Sequence, residues 1–184
     1  MDYLTHDELR KVLATAASYG KREACMFILG YGHALRCSEI AALTLADIRG
    51  GKIVCRRGKG SVKTTEALRA HEIDALAAWL KERGDGDGSC FVFTSREGSK
   101  LHRSQVYRLF RKIAELAGID AERAHPHILK HSLAAHLVRA NVTLPYIQAA
   151  MGHAHVSSTV RYTHITPAEA AEKSNVVVES VLAA

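Results

Sequence analysis

Long apolar runs are missing from this 184-residue sequence, and no stretch approaches the roughly 20 residues that a membrane-spanning helix needs. The opening residues, MDYLTHDELR, lack the basic and apolar segments of a secretory signal. Cysteine is sparse: Cys25, Cys37, Cys55 and Cys90 are scattered, with no C-x-x-C pair. That spacing argues against a zinc ribbon and gives no sign of a disulfide framework, so a reducing, cytoplasmic setting is the expectation. Internal repeats and low-complexity segments are also missing. What remains is an ordinary globular composition, 47% hydrophobic with a mean hydropathy of −0.07, long enough for one packed domain and short for two.

Acidic residues are scarce where bases are dense. The formal charge is +6. Arg49, Lys52, Arg56, Arg57, Lys59, Lys63 and Arg69 are opposed within their stretch only by Glu66, and Arg96, Lys100, Arg103, Arg108, Arg111 and Lys112 only by Glu97. Two such blocks are the electrostatic footprint of a phosphate-backbone binder. Arg56, Arg57, Lys63, Arg103 and Arg108 are the candidate DNA contacts; the competing reading is two solvated faces.

The periodicities predict a mainly α chain with a small antiparallel β-sheet, an α+β fold. Thr5 and Glu8 form a capping-box pattern that opens a first helix with a Leu9, Val12, Leu13, Ala16 stripe. A second helix is expected over 21–34, after Gly20, and a short one over 38–43. Strands are expected at 52–56 and from Thr64 on, joined through Gly58 and Gly60. Further helices are expected at 72–83, 104–118, 126–140, 144–151 and 156–160, with one or two more in the tail. The loop GDGDGSC, 84–90, resembles a calcium loop only superficially, because no glutamate sits at the required distance.

The stretch HPHILKHSLAAHL, 125–137, holds four histidines and a lysine. On a helical wheel Leu129, Leu133, His136 and Leu137 share one side, and His127, Lys130, His131 and Ala134 the other. His136 is thereby expected in the core. His127 and His131 have the i, i+4 spacing of metal ligands, but Lys130 beside them would repel a divalent ion, so no metal is expected. A patch offering cations and donors to an anion fits better. Elsewhere, Arg36 presents a planar fork suited to phosphate, with Glu39 one turn on; a surface salt bridge is the alternative. Lys59 lies at a glycine-flanked hairpin tip, reaching into a groove or simply solvated. His153 follows a helix, and Tyr162 lies nine residues later.

Together, ALRCSEIAALTLADI, the hairpin lysine, HPHILKHSLAAHL and IQAAMGHAHVSSTVRYTHI resemble, in order and spacing, the tyrosine recombinase (phage integrase) family, over about residues 3–165. The resemblance implies a site-specific DNA recombinase, of integrase or invertase type, that cleaves and rejoins DNA through a 3′-phosphotyrosyl intermediate without metal, ATP or other cofactor. Tyr162 would be the nucleophile, with Arg36, Lys130, His127 and His153 around the scissile phosphate. Lys59, or Lys63 in its place, would be the hairpin lysine, with Glu39 and His131 supporting. A catalytically silent DNA-binding relative and a type IB topoisomerase-like relaxer are the alternatives. The box that usually ends in arginine here ends in Lys130, which keeps the charge and loses the two-pronged grip, implying reduced activity.

The resemblance further implies double-stranded DNA as partner and a homo-tetramer on DNA that is a monomer or weak oligomer alone. It implies a cytoplasmic, nucleoid-associated protein of a bacterium or phage. Residues 1–184 would form a single catalytic domain without the family's N-terminal clamp, either excised from a longer chain or resembling the small fimbrial invertases. The tail, 166–184, would pack on its own domain or be exchanged between protomers.

Overall fold

A computed structural model describes residues 3–58, 61–84, 90–95, 98–160, 162–163 and 174. Helix α1, His6–Tyr19, starts where the capping box places it: Thr5 Oγ1 accepts from the Glu8 amide at 3.2 Å, and Glu8 accepts from the Thr5 amide at 2.7 Å. The Arg123 guanidinium clamps the same carboxylate and holds Glu8 down at about 2. Leu9, Val12 and Ala16 face the core. Helix α2, Lys21–Gly32, packs on α1, and α3 spans Cys37–Ala42.

A short 3-10 turn, Leu45–Asp47, leads into a three-stranded antiparallel sheet of β1, Ile48–Arg49, β2, Lys52–Cys55, and β3, Thr64–Ala67. Its registers pair Arg49 with Lys52 and Cys55 with Thr64. Strand β1 was not among the expected strands. Gly50 and Gly51 close its hairpin with φ of 57° and 69°, the two left-handed conformations that a two-residue type I′ turn requires. Strand β3 ends three residues earlier than TTEALRA suggests, because Arg69 and Glu72 cap helix α4, Ala70–Arg83. Trp79 on α4 donates to the carbonyl of Val92 at 2.8 Å.

Helix α5, Arg103–Leu116, buries Val106, Phe110, Ile113 and Ala114, with Phe110 edge-on to Phe27 at 5.1 Å. Helix α6, His127–Arg139, runs between two apolar clusters. Ile128 and Leu129 join the main core, whereas Ala134 joins a smaller one with Ala34, Ile147 and Met151 of α7, Leu144–Met151. The helix is enclosed on both sides, so Lys130, on the face opposite the Leu129 stripe, is buried as well. His136 is in the core as expected, between Tyr31 Oη at 2.9 Å and the Leu4 carbonyl at 2.9 Å. Helix α8, Ser157–Val160, precedes Tyr162. The expected tail helices and the glycine loop at 85–89 lie outside the described residues. Among the described residues, no helix is long and apolar enough to cross a membrane.

Candidate active site

Arg36 sits where α2 breaks and α3 begins. The break passes through Ala34, a non-glycine residue at φ 50°, and Arg36 then takes the extended conformation of a helix cap. Glu39, buried in the first turn of α3, accepts from the Arg36 amide at 2.9 Å, from its Nη1 at 2.7 Å and from the Gly58 amide at 3.1 Å. Burial alone would raise the Glu39 carboxyl; those donors outweigh it and hold the group below the ordinary carboxylate range. Arg36 Nη2 donates to Ser61 Oγ at 3.1 Å, so the guanidinium bridges α3 to the β2–β3 connection while staying about a quarter exposed, at 28%.

Across a cavity of about 450 Å³ lies His127, the first residue of α6. Arg36, Cys37, Ser38, Arg103, Ser104 and Tyr107 form the rest of the lining. Partial enclosure pushes the His127 imidazole below its usual value, helped by the nearby charges of His125, Arg36 and Lys130. A ring that is neutral at pH 7 can take a proton. One turn on, Lys130 is 5% exposed and donates from Nζ to the Met151 carbonyl at 3.0 Å. Burial, with Arg36 and Arg57 close by, brings it down to about 8.

The turn after α7 presents His153. Gly152 adopts φ 61°, and the His153 backbone pairs with Ser61 while Val62 donates to the Gly152 carbonyl at 2.9 Å. His153 Nδ1 lies 3.0 Å from Thr159 Oγ1, which fixes the ring. The same connection therefore touches both Arg36 and His153 through Ser61. Lys59 itself lies outside the described residues; its neighbours Gly58 and Ser61 are anchored on Glu39 and Arg36.

Tyr162 is half-buried against the smaller apolar cluster, and its Oη lies 2.8 Å from His131 Nδ1. It is not among the residues that line the Arg36–His127 cavity. The structure thus brings Arg36, Glu39 and His127 to one site, sets Lys130 and His153 around it, and holds Tyr162 on α6 through His131.

The expected DNA contacts divide. Lys63 and Arg103 are exposed, and Arg103 borders the cavity. Arg56 is exposed but tied to Asp47 at 2.7 Å. Arg108 lines a different hollow, with Arg22 and Lys112. Arg57 departs from expectation: its side chain is fully enclosed, at 0% exposure, so it offers nothing to a docked duplex in this conformation. It donates to the Ala34 carbonyl at 3.1 Å and to Thr64 Oγ1 at 3.2 Å, and lies 3.5 Å from Glu66.

Glu66 continues inward to His33, whose Nδ1 lies 2.8 Å from Glu66 and Nε2 3.2 Å from Glu72. Burial would lower the imidazole, but the two carboxylates outweigh it and raise it. Ser61, Tyr107 and this His33 network were not signalled by the sequence; each depends on contacts across long separations. The donor atoms of His33, Cys55 and Glu66 lie within 4.8 Å of one another, a spacing that could hold a metal ion. The set does not fit one well: both imidazole nitrogens already face carboxylates, the Arg57 cation adjoins Glu66, and burial pushes the Cys55 thiol up to about 11.

Comparison with known proteins follows the same lines. The model of the Phage integrase family matches residues 2–169. The type 1 fimbriae regulatory protein FimE of Escherichia coli (strain K12) is 33% identical, covering 97% of this chain and 95% of its own length. Tyrosine recombinase XerA of Thermococcus onnurineus (strain NA1) is 34% identical over 89% of this chain, which spans 58% of that protein. Among solved structures, XerA recombinase superposes with a TM-score of 0.78 at 26% identity, over 94% of this chain and 64% of that one. The XerH site-specific recombinase bound to difH substrate, in a pre-cleavage complex, gives 0.79 at 25% identity, over 94% and 53%. The chain therefore spans between half and two thirds of these solved recombinases, and nearly all of FimE.

Proposed function

The chain belongs to the phage integrase family of site-specific tyrosine recombinases, and from that premise we propose that it cuts and rejoins double-stranded DNA through Tyr162. The observation that carries this reading is the shared cavity of Arg36 and His127, with buried Lys130 beside it. A phosphodiester under attack gathers negative charge on its non-bridging oxygens, and fixed cationic donors stabilise that charge. Arg36 and Lys130 fill this role, and the His153 ring donates a hydrogen bond to the phosphate.

In the forward step Tyr162 Oη bonds to phosphorus, the bond from phosphorus to the 5′ oxygen breaks, and a 3′-phosphotyrosyl link results. The phenolic proton passes to His127, which is held neutral and able to accept it. Lys59 supplies a proton to the departing 5′ oxygen. A 5′-hydroxyl from a second strand then attacks the phosphotyrosine, and the proton flow reverses. The chemistry conserves the phosphodiester bond energy, so it needs no ATP, and the fixed cations take the charge-stabilising role that a metal would fill.

Because Tyr162 rests on His131, cleavage begins with its release toward the cavity once DNA is seated. Lys130 carries one charge where the family's box carries a fork, and this lowers the rate relative to an arginine. The exposed Lys63 and Arg103 contact the backbone. Strand exchange uses four copies on two DNA sites in the cytoplasm. The test is a nicked suicide duplex of the target sequence: a covalent protein–DNA adduct is expected from this chain and none from Tyr162→Phe. An adduct of equal yield from Tyr162→Phe would overturn the assignment.

A further inference from the structure

We infer that Arg57 is a positioning residue, whose enclosed guanidinium holds the turn bearing Arg36 and the turn bearing His153 in one mutual arrangement. This rests on the recombinase reading for its consequence in catalysis, and on contacts alone for its geometry. Arg57 Nη1 donates to the carbonyl of Ala34, two residues before Arg36, at 3.1 Å, and lies 3.8 Å from Glu39, the partner of Arg36. Its Nη2 reaches Thr64 Oγ1 at 3.2 Å and the Ala150 carbonyl at 3.5 Å, three residues before His153. One planar fork thereby ties the α2–α3 break, strand β3 and the end of α7.

Two left-handed backbone positions lie against the fork. Ala34 has a φ of 50°, a conformation that disfavours a residue with a Cβ, and its carbonyl is one that Arg57 engages. Gly152 has a φ of 61°, and a Cβ there would come within 2.8 Å of Arg57 Nε and 3.1 Å of the Val62 carbonyl. Arg57 packs on this glycine, and its Nε, among the described residues, has no hydrogen-bond partner. A buried donor left unpaired is costly, so the surrounding contacts of the guanidinium must outweigh that loss. Glu66 at 3.5 Å, itself held by His33, and Glu39 balance the charge. Lysine does not substitute, because its three donors radiate from one nitrogen and lack the span by which Nη1 reaches Ala34 while Nη2 reaches Thr64 and Ala150.

The experiment compares Arg57→Met and Arg57→Lys with the unaltered chain. Arg36 Nε–H and His153 ring resonances are followed by NMR. Single-turnover cleavage of a suicide duplex is measured at saturating DNA, and DNA affinity against salt. Both variants are expected to shift the Arg36 and His153 signals and leave core signals such as Ile113 in place. They should cut the cleavage rate roughly 100-fold, with DNA affinity and its salt slope unchanged. Unmoved Arg36 and His153 signals would overturn the proposal; so would a salt slope reduced by about one, which marks a lost phosphate contact. If the Arg57 variants do not fold, Gly152→Ala displaces the guanidinium from the other side and must move the same two signals; if it does not, the proposal fails. Absence of a Tyr162-dependent adduct from the unaltered chain would count against the recombinase reading, and the NMR comparison would still decide the role of Arg57.

Discussion

The hydroxyl of Tyr162 lies 2.8 Å from Nδ1 of His131, so the proposed nucleophile rests on the helix that carries His127 and Lys130. A single neutral hydrogen bond of this kind contributes about 1 kcal/mol, roughly a fivefold shift in a docking equilibrium. His131→Phe keeps the ring's bulk and removes the bond. Nitration by tetranitromethane, followed peptide by peptide, is expected to become several-fold faster at Tyr162. Tyr146, 72% exposed on α7, should be unaffected and serves as the reference. An unchanged rate at Tyr162 would mean that His131 does not hold the phenol.

In the proposed reaction Lys130 is expected to set the alkaline limit. Its ammonium is brought down to about 8 by burial and by the Arg36 and Arg57 cations. The Lys130 charge that would face the phosphate should therefore be lost as pH rises through about 8, and the cleavage rate should fall along an alkaline limb there. In Lys130→Arg that limb should vanish up to pH 10, because a guanidinium stays charged, and the rate at pH 7 should rise. Lys130→Met should lower the rate about 10²–10³-fold while leaving stability unchanged or higher, since a buried charge is removed along with its desolvation cost. Single-turnover rates across pH and urea midpoints for the three proteins decide this.

Much of the scaffold was legible because its signals are local. Thr5 and Glu8 are three residues apart and announce α1; the apolar stripe of α5 repeats within the helix itself. The Gly50–Gly51 hairpin was equally local, and β1 was missed because two residues give no alternation to read. The enclosure of Arg57 and the burial of Lys130 were not legible for a different reason. Arg57 sits in a basic run whose members look alike in sequence, yet Arg56 is exposed and Arg57 enclosed, since successive residues leaving β2 face opposite ways. Lys130 lies on a helix with apolar neighbours on both sides, so a two-faced wheel has no polar face to assign. The family motif gave the order of the proposed site residues; it carried no sign of the His33, Glu66 and Glu72 network, which joins three elements.

That network sets a pH window for stability. His33 is raised, so its contribution is complete below its unfolded value of about 6.5 and is lost as pH rises through the folded value. Glu72 is held at about 2 and Glu66 below its ordinary value, so their contributions are complete above about 4.5 and are lost as pH falls. The stabilisation should peak between about pH 4.5 and 6.5. Glu72→Gln leaves His33 short of one buried counter-charge and should cost about 3 kcal/mol within that window. Denaturant unfolding across pH should show the gap to the unaltered chain narrowing on both sides; a constant gap would refute the linkage.

Binding to DNA should separate the basic side chains by exposure rather than by charge. Each Lys or Arg that neutralises a backbone phosphate contributes about 0.9 to the slope of log affinity against log salt. Arg103, exposed at the rim of the Arg36–His127 cavity, and Lys63, exposed on the β2–β3 connection, are placed to do so. Arg103→Ala and Lys63→Ala should each lower the slope by about one. Arg108 faces the separate hollow with Arg22 and Lys112, and Arg108→Ala should leave the slope unchanged if only the cavity face meets the duplex. Fluorescence anisotropy titrations between 50 and 200 mM salt, an interval over which such contacts change affinity by roughly orders of magnitude, resolve a change of one. A slope that falls for Arg108→Ala and not for Arg103→Ala would put the DNA on the opposite side of α5.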